Sequence, residues 1–289
     1  MSGYTLTIEP LGEEIEVADG QTILDACLRA GIYLPHACGH GLCGACKTDV
    51  VDGEVDHGPA SPFALMDFER EDGKTLACCA TLMADTTIEA DVEEDPDARR
   101  IAVRDFEGVV VALDDLTHDV KGLRIAIDGE PIDFQAGQYV NVSMPGVEGT
   151  RAFSIASEPA DSGHVELQIR KVPGGAGTGY VHEKLKPGDR VSFSGPYGRF
   201  LVRKSRGGPL LFLAGGTGVS SPRSMILDLL ADGYDAPITL VHGVRTQRDL
   251  YGREEFEAVR EMAIKARTEN AELRARLDAL DGKSGADQG

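Results

Sequence analysis

The sequence predicts a multidomain chain: a cysteine-rich α+β segment, an antiparallel β-barrel, and a partial α/β unit that ends in a helix. Three observations predict it. The 289 residues exceed one module at roughly 100–200 residues per domain. Cysteines and acidic residues crowd into the first third. Near residue 207 the pattern changes from short β pieces punctuated by Gly and Pro to strands alternating with helices.

The formal net charge is −19, and residues 1–98 hold 21 Asp and Glu against only Arg29, Lys47, Arg70 and Lys74. Almost all the excess therefore lies on the first third. Such a surface repels nucleic acid and anionic membrane; it serves solubility and can steer a basic protein partner. No apolar run approaches the roughly 18 residues of a membrane span. The first residues lack the basic and apolar regions of a secretory signal. The expected compartment is the cytoplasm, where six cysteines are poor disulfide candidates.

The first domain is expected over residues 1–95. In it Cys27 lies on an apolar helix face and reads as core. The stretch Val92-Glu-Glu-Asp-Pro-Asp-Ala-Arg-Arg100 is a charged linker. The second domain spans 101–206, with strands at Phe106–Leu113, Gly122–Ile127, Tyr139–Ser143, Val165–Val172 and Arg190–Ser194, the signature of a barrel or sandwich. The third spans 207–289. Leu210–Ala214 reads as a buried strand, Ser221–Ala231 as a helix with Pro222 in its first turn, Ile238–Val241 as a second strand and Arg248–Glu261 as a second helix.

The cysteines are spaced Cys38-x4-Cys43-x2-Cys46, with Cys78 and Cys79 distant. That is the spacing of a plant-type [2Fe–2S] site, in which three thiolates from one loop and one from a remote segment converge on two irons. Gly39, Gly41 and Gly44 let the loop fold closely and turn backbone N–H groups toward the sulfurs. A zinc site takes two short ligand pairs, and a Rieske centre drawing on His36, His40 or His57 takes two Cys with two His; neither uses three close cysteines.

Further along stand Arg151-Ala-Phe153-Ser154, then Gly174-Gly175-Ala-Gly177-Thr178-Gly179, a loop whose N–H groups can approach a phosphate, then Gly195-Pro-Tyr-Gly198. Gly215-Gly216-Thr217-Gly218 follows a strand and opens a helix, where a Gly-rich turn can cradle a pyrophosphate. It is neither a Walker loop nor a full Rossmann fingerprint. His242-Gly-Val-Arg245 ends the second strand.

In this order the motifs resemble the flavoprotein reductases of the ferredoxin–NADP reductase superfamily. With the N-terminal cysteine domain, the chain resembles the electron-transfer components of multicomponent bacterial monooxygenases. The stretches Gly53–Arg70, Leu76–Ala80 and Ser220–Leu230 are most similar to the reductase components of di-iron phenol hydroxylases.

The resemblance implies a β-grasp-like ferredoxin domain, an FAD-binding barrel and an NAD-binding α/β domain. It implies Cys78, in a Leu-x-Cys pattern, as fourth ligand beside Cys38, Cys43 and Cys46. Arg151 would pair with the FAD pyrophosphate, Phe153 pack on the cofactor, and Ser154 act near the reactive flavin nitrogen. Gly174, Gly175, Gly177, Thr178 and Gly179 would hold the FAD phosphates. Gly215, Gly216, Thr217, Gly218 and Arg245 would hold the nicotinamide nucleotide, taken as NADH. Electrons would pass from NADH to FAD, to the cluster and to an oxygenase docked on the acidic domain.

The resemblance ends at Met262. The family continues to a Cys-Gly-Pro turn, whereas residues 263–289 read as a charged Ala/Leu-rich helix and a polar tail. A second reading is therefore a ferredoxin-like carrier with a shortened reductase half that does not itself oxidise NADH.

Overall fold

The computed structural model describes residues 3–92, 95–262, 264, 265 and 268. The described chain divides into two units. One holds Met1–Phe106, Asp133–Gln135 and Phe193–Arg199, and the other holds the remaining residues.

In the first unit, β1 (Gly3–Glu9) has a period-two pattern that buries Leu6 and Ile8 completely. It pairs with β2 (Glu13–Ala18) as an antiparallel hairpin. Next comes α1 (Ile23–Arg29), where Thr22 caps the start by accepting from Asp25 N–H at 3.3 Å. Its inner face carries Ile23 and Cys27, both fully buried, so Cys27 is a core residue as expected. After a long loop follow β3 (Lys47–Asp52), β4 (Val55–Asp56), α2 (Asp67–Glu71), β5 (Lys74–Leu76), β6 (Thr81–Leu82) and β7 (Thr86–Glu89). The five-stranded sheet runs β2-β1-β7-β3-β5, with β1 and β7 parallel and β4 paired to β6 apart from it. A mixed sheet with its first and last strands side by side and one main helix is the β-grasp-like arrangement expected.

The barrel strands are β8 (Arg104–Asp115), β9 (Val120–Ile127), β10 (Tyr139–Ser143), β11 (Thr150–Ser154) and β12 (His164–Arg170); α3 (Ala176–Glu183) then precedes β13 (Arg190–Tyr197). The sheet order is β11-β10-β13-β8-β9-β12, and a bridge from Ile155 to Leu167 nearly closes it. The expected strands are present with ends shifted by a few residues. Two elements are additional. β11 contains the Arg151 motif itself. The glycines from 174 onward enter α3, where a loop was expected. Gly174 makes the turn, Gly175 caps the helix, and Val181 is buried to hold it in place.

The third segment is β14 (Leu210–Gly215), a 3-10 turn at Gly216–Val219, α4 (Ser220–Ala231) and β15 (Ile238–Gly243). The strands are parallel, pairing Leu210 with Ile238 through Gly215 with Gly243. Phe212 packs against Met225, Ile226 and Leu229 of α4, while Leu211 and Leu213 on the alternate positions are 62% and 72% exposed.

The expected helix Arg248–Glu261 is broken in two. Thr246 and Asp249 cap each other across a short 3-10 turn at Gln247–Asp249. Tyr251 is buried, Gly252 takes φ +73°, and residues 253–262 are helical. The expected helical tail over 263–289 lies, except for Ile264, Lys265 and Thr268, outside the described residues. No helix among the described residues is long and apolar enough to cross a membrane.

Gly137 is the tightest backbone approach in the second unit. Its φ is +103°, and a Cβ there would stand 1.9 Å from the Phe200 carbonyl oxygen and 2.2 Å from the Met225 methyl. Gly137→Ala is expected to destabilise the protein by about 1–3 kcal/mol through overpacking and left-handed strain. Thermal unfolding of the two forms checks this; an unchanged Tm contradicts it.

Candidate cofactor sites

The loop between α1 and β3 brings the cysteines together. Cys38 accepts from the Leu42 backbone N–H at 3.4 Å. Burial raises its thiol pKa, but the N–H groups of His40, Leu42 and Cys43 outweigh that and bring it down to about 6. The Cys46 and Cys78 thiols hydrogen-bond to each other; this raises Cys46 and lowers Cys78, to which the Gly41 N–H also donates. Thus Cys38 and Cys43 contact each other, Cys46 contacts Cys78, and donors from the glycine loop aim at sulfur. Four thiols with backbone N–H donors suit a cluster whose thiolate charge must be stabilised.

Cys79 differs from Cys78. Its Sγ is 3.7 Å from that of Cys78, yet its side chain is 6% exposed and belongs to the apolar core. Gly41 takes φ +76°, and a Cβ on it would stand 2.6 Å from Cys79 Sγ. Cys79 therefore packs beneath the loop. His36 Nδ1 lies 2.8 Å from the Leu34 carbonyl and His57 Nδ1 2.9 Å from Thr75 Oγ1, so the Nδ1 of each imidazole is held by an oxygen.

In the barrel, Arg151 and Phe153 share one face of β11, and Ser154 lies on the other. Arg151 Nη1 donates to the carbonyls of Glu148 and Thr150 at 3.1 and 2.9 Å. These bonds hold the guanidinium beside the start of α3. Gly177 approaches so closely that a Cβ there would meet Arg151 Cγ at 2.8 Å. The helix has no side-chain cap and no acid in its first turn, so its N–H groups keep their full positive polarity. Thr178 Oγ1 accepts from Val172 N–H at 3.0 Å and fixes the turn that contains Gly174 and Gly175. An Arg beside an uncapped helix N-terminus is a fit for the pyrophosphate of FAD.

The Gly215–Gly218 turn has a similar construction at the start of α4, again without a side-chain cap or a first-turn acid. His242 Nε2 donates to the Gly216 carbonyl at 2.9 Å. Behind the turn lies a buried polar network that the sequence did not reveal. Gln168 of β12 accepts from Ser220 Oγ at 2.9 Å and Tyr251 Oη at 3.1 Å. Arg223 is almost buried; it donates to the Ala156 carbonyl and pairs with Glu255 and Glu166. Burial opposes its charge, but the two carboxylates more than restore it.

Arg245 stands 74% exposed beyond β15, 3.7 Å from Asp119, which also faces Arg170. Neither Asp119 nor Arg170 was singled out from the sequence. They are remote from Arg245 along the chain, and no local motif joins them.

Three family models match the chain in succession. They are the 2Fe-2S iron-sulfur cluster binding domain over residues 6–83, the oxidoreductase FAD-binding domain over 107–201 and the oxidoreductase NAD-binding domain over 212–280. The last match continues past Met262, where the resemblance was expected to stop. The chain is 58% identical over 254 residues to the reductase component of phenol 2-monooxygenase from Pseudomonas sp. (strain CF600), covering 88% of this chain and 72% of that protein. It is 57% identical, with the same coverage, to the phenol hydroxylase P5 protein of Acinetobacter pittii (strain PHEA-2). Among solved structures, the Amycolatopsis reductase GcoB superposes with a TM-score of 0.80 at 35% identity, covering 89% of this chain and 77% of that one. A [2Fe–2S] domain, an FAD-binding domain and an NAD-binding domain thus follow one another here as in those proteins, and the chain belongs to the family of phenol hydroxylase reductase components of the ferredoxin–NADP reductase superfamily.

Proposed function

We propose that this protein is the NADH-dependent reductase of a cytoplasmic phenol hydroxylase system, delivering electrons through FAD and a [2Fe–2S] cluster to an oxygenase. Its domains are taken as 1–95, 101–206 and 207–289. The observation that carries the reading is the convergence of Cys38, Cys43, Cys46 and Cys78 under backbone N–H donors, in a chain that also builds two uncapped helix N-termini behind glycine turns. Flavin is the group that accepts two electrons together from a nicotinamide and gives them up singly to a one-electron centre.

The protein's residues bind and orient. Cys38, Cys43, Cys46 and Cys78 hold the cluster. Arg151 and the Gly174–Gly179 turn would hold the FAD diphosphate, Phe153 would pack against the cofactor, and Ser154 would offer its hydroxyl to the flavin. Gly215–Gly218 and Arg245 hold NADH. The oxygenase docks on the acidic first domain, where Leu42, between two cluster ligands, is 64% exposed and Phe63 is 90% exposed. Anaerobic titration with NADH tests the whole reading. Flavin and iron–sulfur absorbance should both bleach, and bands that persist would refute it.

Four variants and a salt series test its parts. Cys78→Ser should abolish the iron–sulfur absorbance while Cys79→Ser largely keeps it; iron analysis with the opposite result would reassign the ligand. Arg151→Ala should weaken FAD retention by about 1.5–3 kcal/mol, the worth of a charged hydrogen bond, while Ser154→Ala keeps FAD and slows its reduction. Full FAD occupancy of the Arg151 variant after dilution would remove that role.

Binding to the oxygenase should weaken as salt rises, because the Debye length is about 8 Å at physiological ionic strength and shrinks above it. Affinity that stays flat across a salt series would mean that docking is mainly apolar.

A further inference from the structure

Three polar residues on one face of β12 each meet a different part of the third segment. Arg170 lines a cleft beside the Gly216 turn, Gln168 accepts from Ser220, and Glu166 pairs with Arg223 at 3.3 Å. Arg223 and Ser224 lie early in α4, the helix that opens from the Gly215–Gly218 turn. From there they reach a second element, the chain that leaves β11 directly after Ser154.

That chain is buried. Ile155 and Ala156 are not exposed at all and Ser157 is 4% exposed, so the carbonyls of Ala156 and Ser157 must find donors inside the protein. Arg223 Nη1 donates to the Ala156 carbonyl, and Ser224 Oγ donates to the Ser157 carbonyl at 2.6 Å. Two consecutive side chains of α4 thus grip two consecutive carbonyls. The Ala156 N–H donates to the Glu166 carbonyl at 2.7 Å, and Ser157 Oγ accepts from the Glu166 N–H at 3.2 Å, which closes the clasp through β12. The rest of the guanidinium is held by Glu255: Nε is 3.0 Å from both carboxylate oxygens and Nη2 is 2.6 Å from Oε1. A planar fork of five N–H donors serves one carbonyl and two carboxylates at once, which an ammonium group does not match.

We propose that Arg223 is a positioning residue for hydride transfer. With Ser224 it ties the chain beyond Ser154, on the flavin side, to the helix that begins at the nucleotide turn, and so keeps the two reactants in register. The inference rests on the reading of the chain as an NADH-dependent flavin reductase. In that step a hydride, two electrons with one proton, leaves NADH for FAD and gives NAD⁺ and reduced flavin. The rate depends on reacting atoms held about 3–3.5 Å apart, and a misplacement of roughly 1 Å can cost a hundredfold. A clasp that lies outside both binding motifs therefore governs the rate without adding to either affinity.

The test uses the protein loaded with FAD and cluster, as Arg223→Met, Arg223→Lys and Ser224→Ala. Anaerobic stopped-flow mixing with a series of NADH concentrations separates the limiting rate of flavin reduction from the Kd for NADH. Arg223→Met should lower the limiting rate by about ten- to a hundredfold, with the Kd for NADH and the FAD content unchanged. Arg223→Lys, which keeps the charge and one donor, should recover part of the rate. Ser224→Ala should lower the rate in the same direction. A readout apart from turnover is hydrogen exchange: the Ile155 and Ala156 amides should exchange faster in Arg223→Met and Ser224→Ala, while those of β9 keep their protection.

An unchanged limiting rate in Arg223→Met, a loss that falls on Kd instead, or a lysine variant no better than methionine overturns the proposal. Unaltered exchange at Ile155 and Ala156 overturns it too. Should Arg223→Met fail to fold, Ser224→Ala decides by the same separation of rate from Kd. A wild type whose flavin stays oxidised with NADH refutes the underlying reading. A reduced wild type beside an indifferent Arg223 variant refutes this proposal alone.

Discussion

Backbone N–H groups left free to meet negative charge are the feature that the three candidate cofactor sites of this chain share. Around Cys38 the donors are His40, Leu42 and Cys43; at Arg151 they are the first residues of α3; at Gly215–Gly218 they open α4. Each time, glycines let the main chain come close, and the donors are left without a competing side chain. Such donors are fixed by the fold and need not reorganise when a charge arrives. The cost is local strain and tight packing, visible where a Cβ on Gly41 or Gly177 would strike a sulfur or an arginine stem.

These turns are only as well placed as the elements that carry them. In the first unit the loop is pinned from below by Cys79 and by the core formed by α1 and β1. In the second, β12 does the corresponding work. Gln168 points into the interior and holds both Ser220, at the start of α4, and Tyr251, after the 3-10 turn; Arg170, two residues on, shares that face of the strand and reaches the cleft at Gly216. Arg223 fastens α4 to the Ala156 carbonyl and to two carboxylates. Buried polar pairs of this kind fix geometry more than they add stability, and geometry is what a site for two successive electron donors needs.

Much of this was legible in the sequence because the signals are local. The Cys-x4-Cys-x2-Cys spacing needs only one loop to be read. Tyr139–Ser143 alternates cleanly, and its strand has those limits in the structure. Pro222 lies in the first turn of α4, as its missing N–H requires. Two local inferences missed for physical reasons. The glycines at 174–179 suggested a loop, but burial of Val181 against the barrel outweighs their poor helix propensity and draws the segment into α3. The helix expected from Arg248 breaks because the Thr246–Asp249 cap and the burial of Tyr251 demand a turn first.

By itself, then, the sequence determined the order of the three cofactor modules and offered the cysteine set and the Arg151 and Gly215–Gly218 motifs as candidate sites, since each is a short pattern that can be read from spacing. Only the tertiary structure decided that Cys79 packs under the loop while Cys78 meets Cys46, that Gln168 ties β12 to α4, and that Asp119 stands against Arg170 and Arg245. Those relations join residues far apart in the chain. They arise from strand pairing and core packing, which bring side chains together without leaving a mark on any local run of sequence.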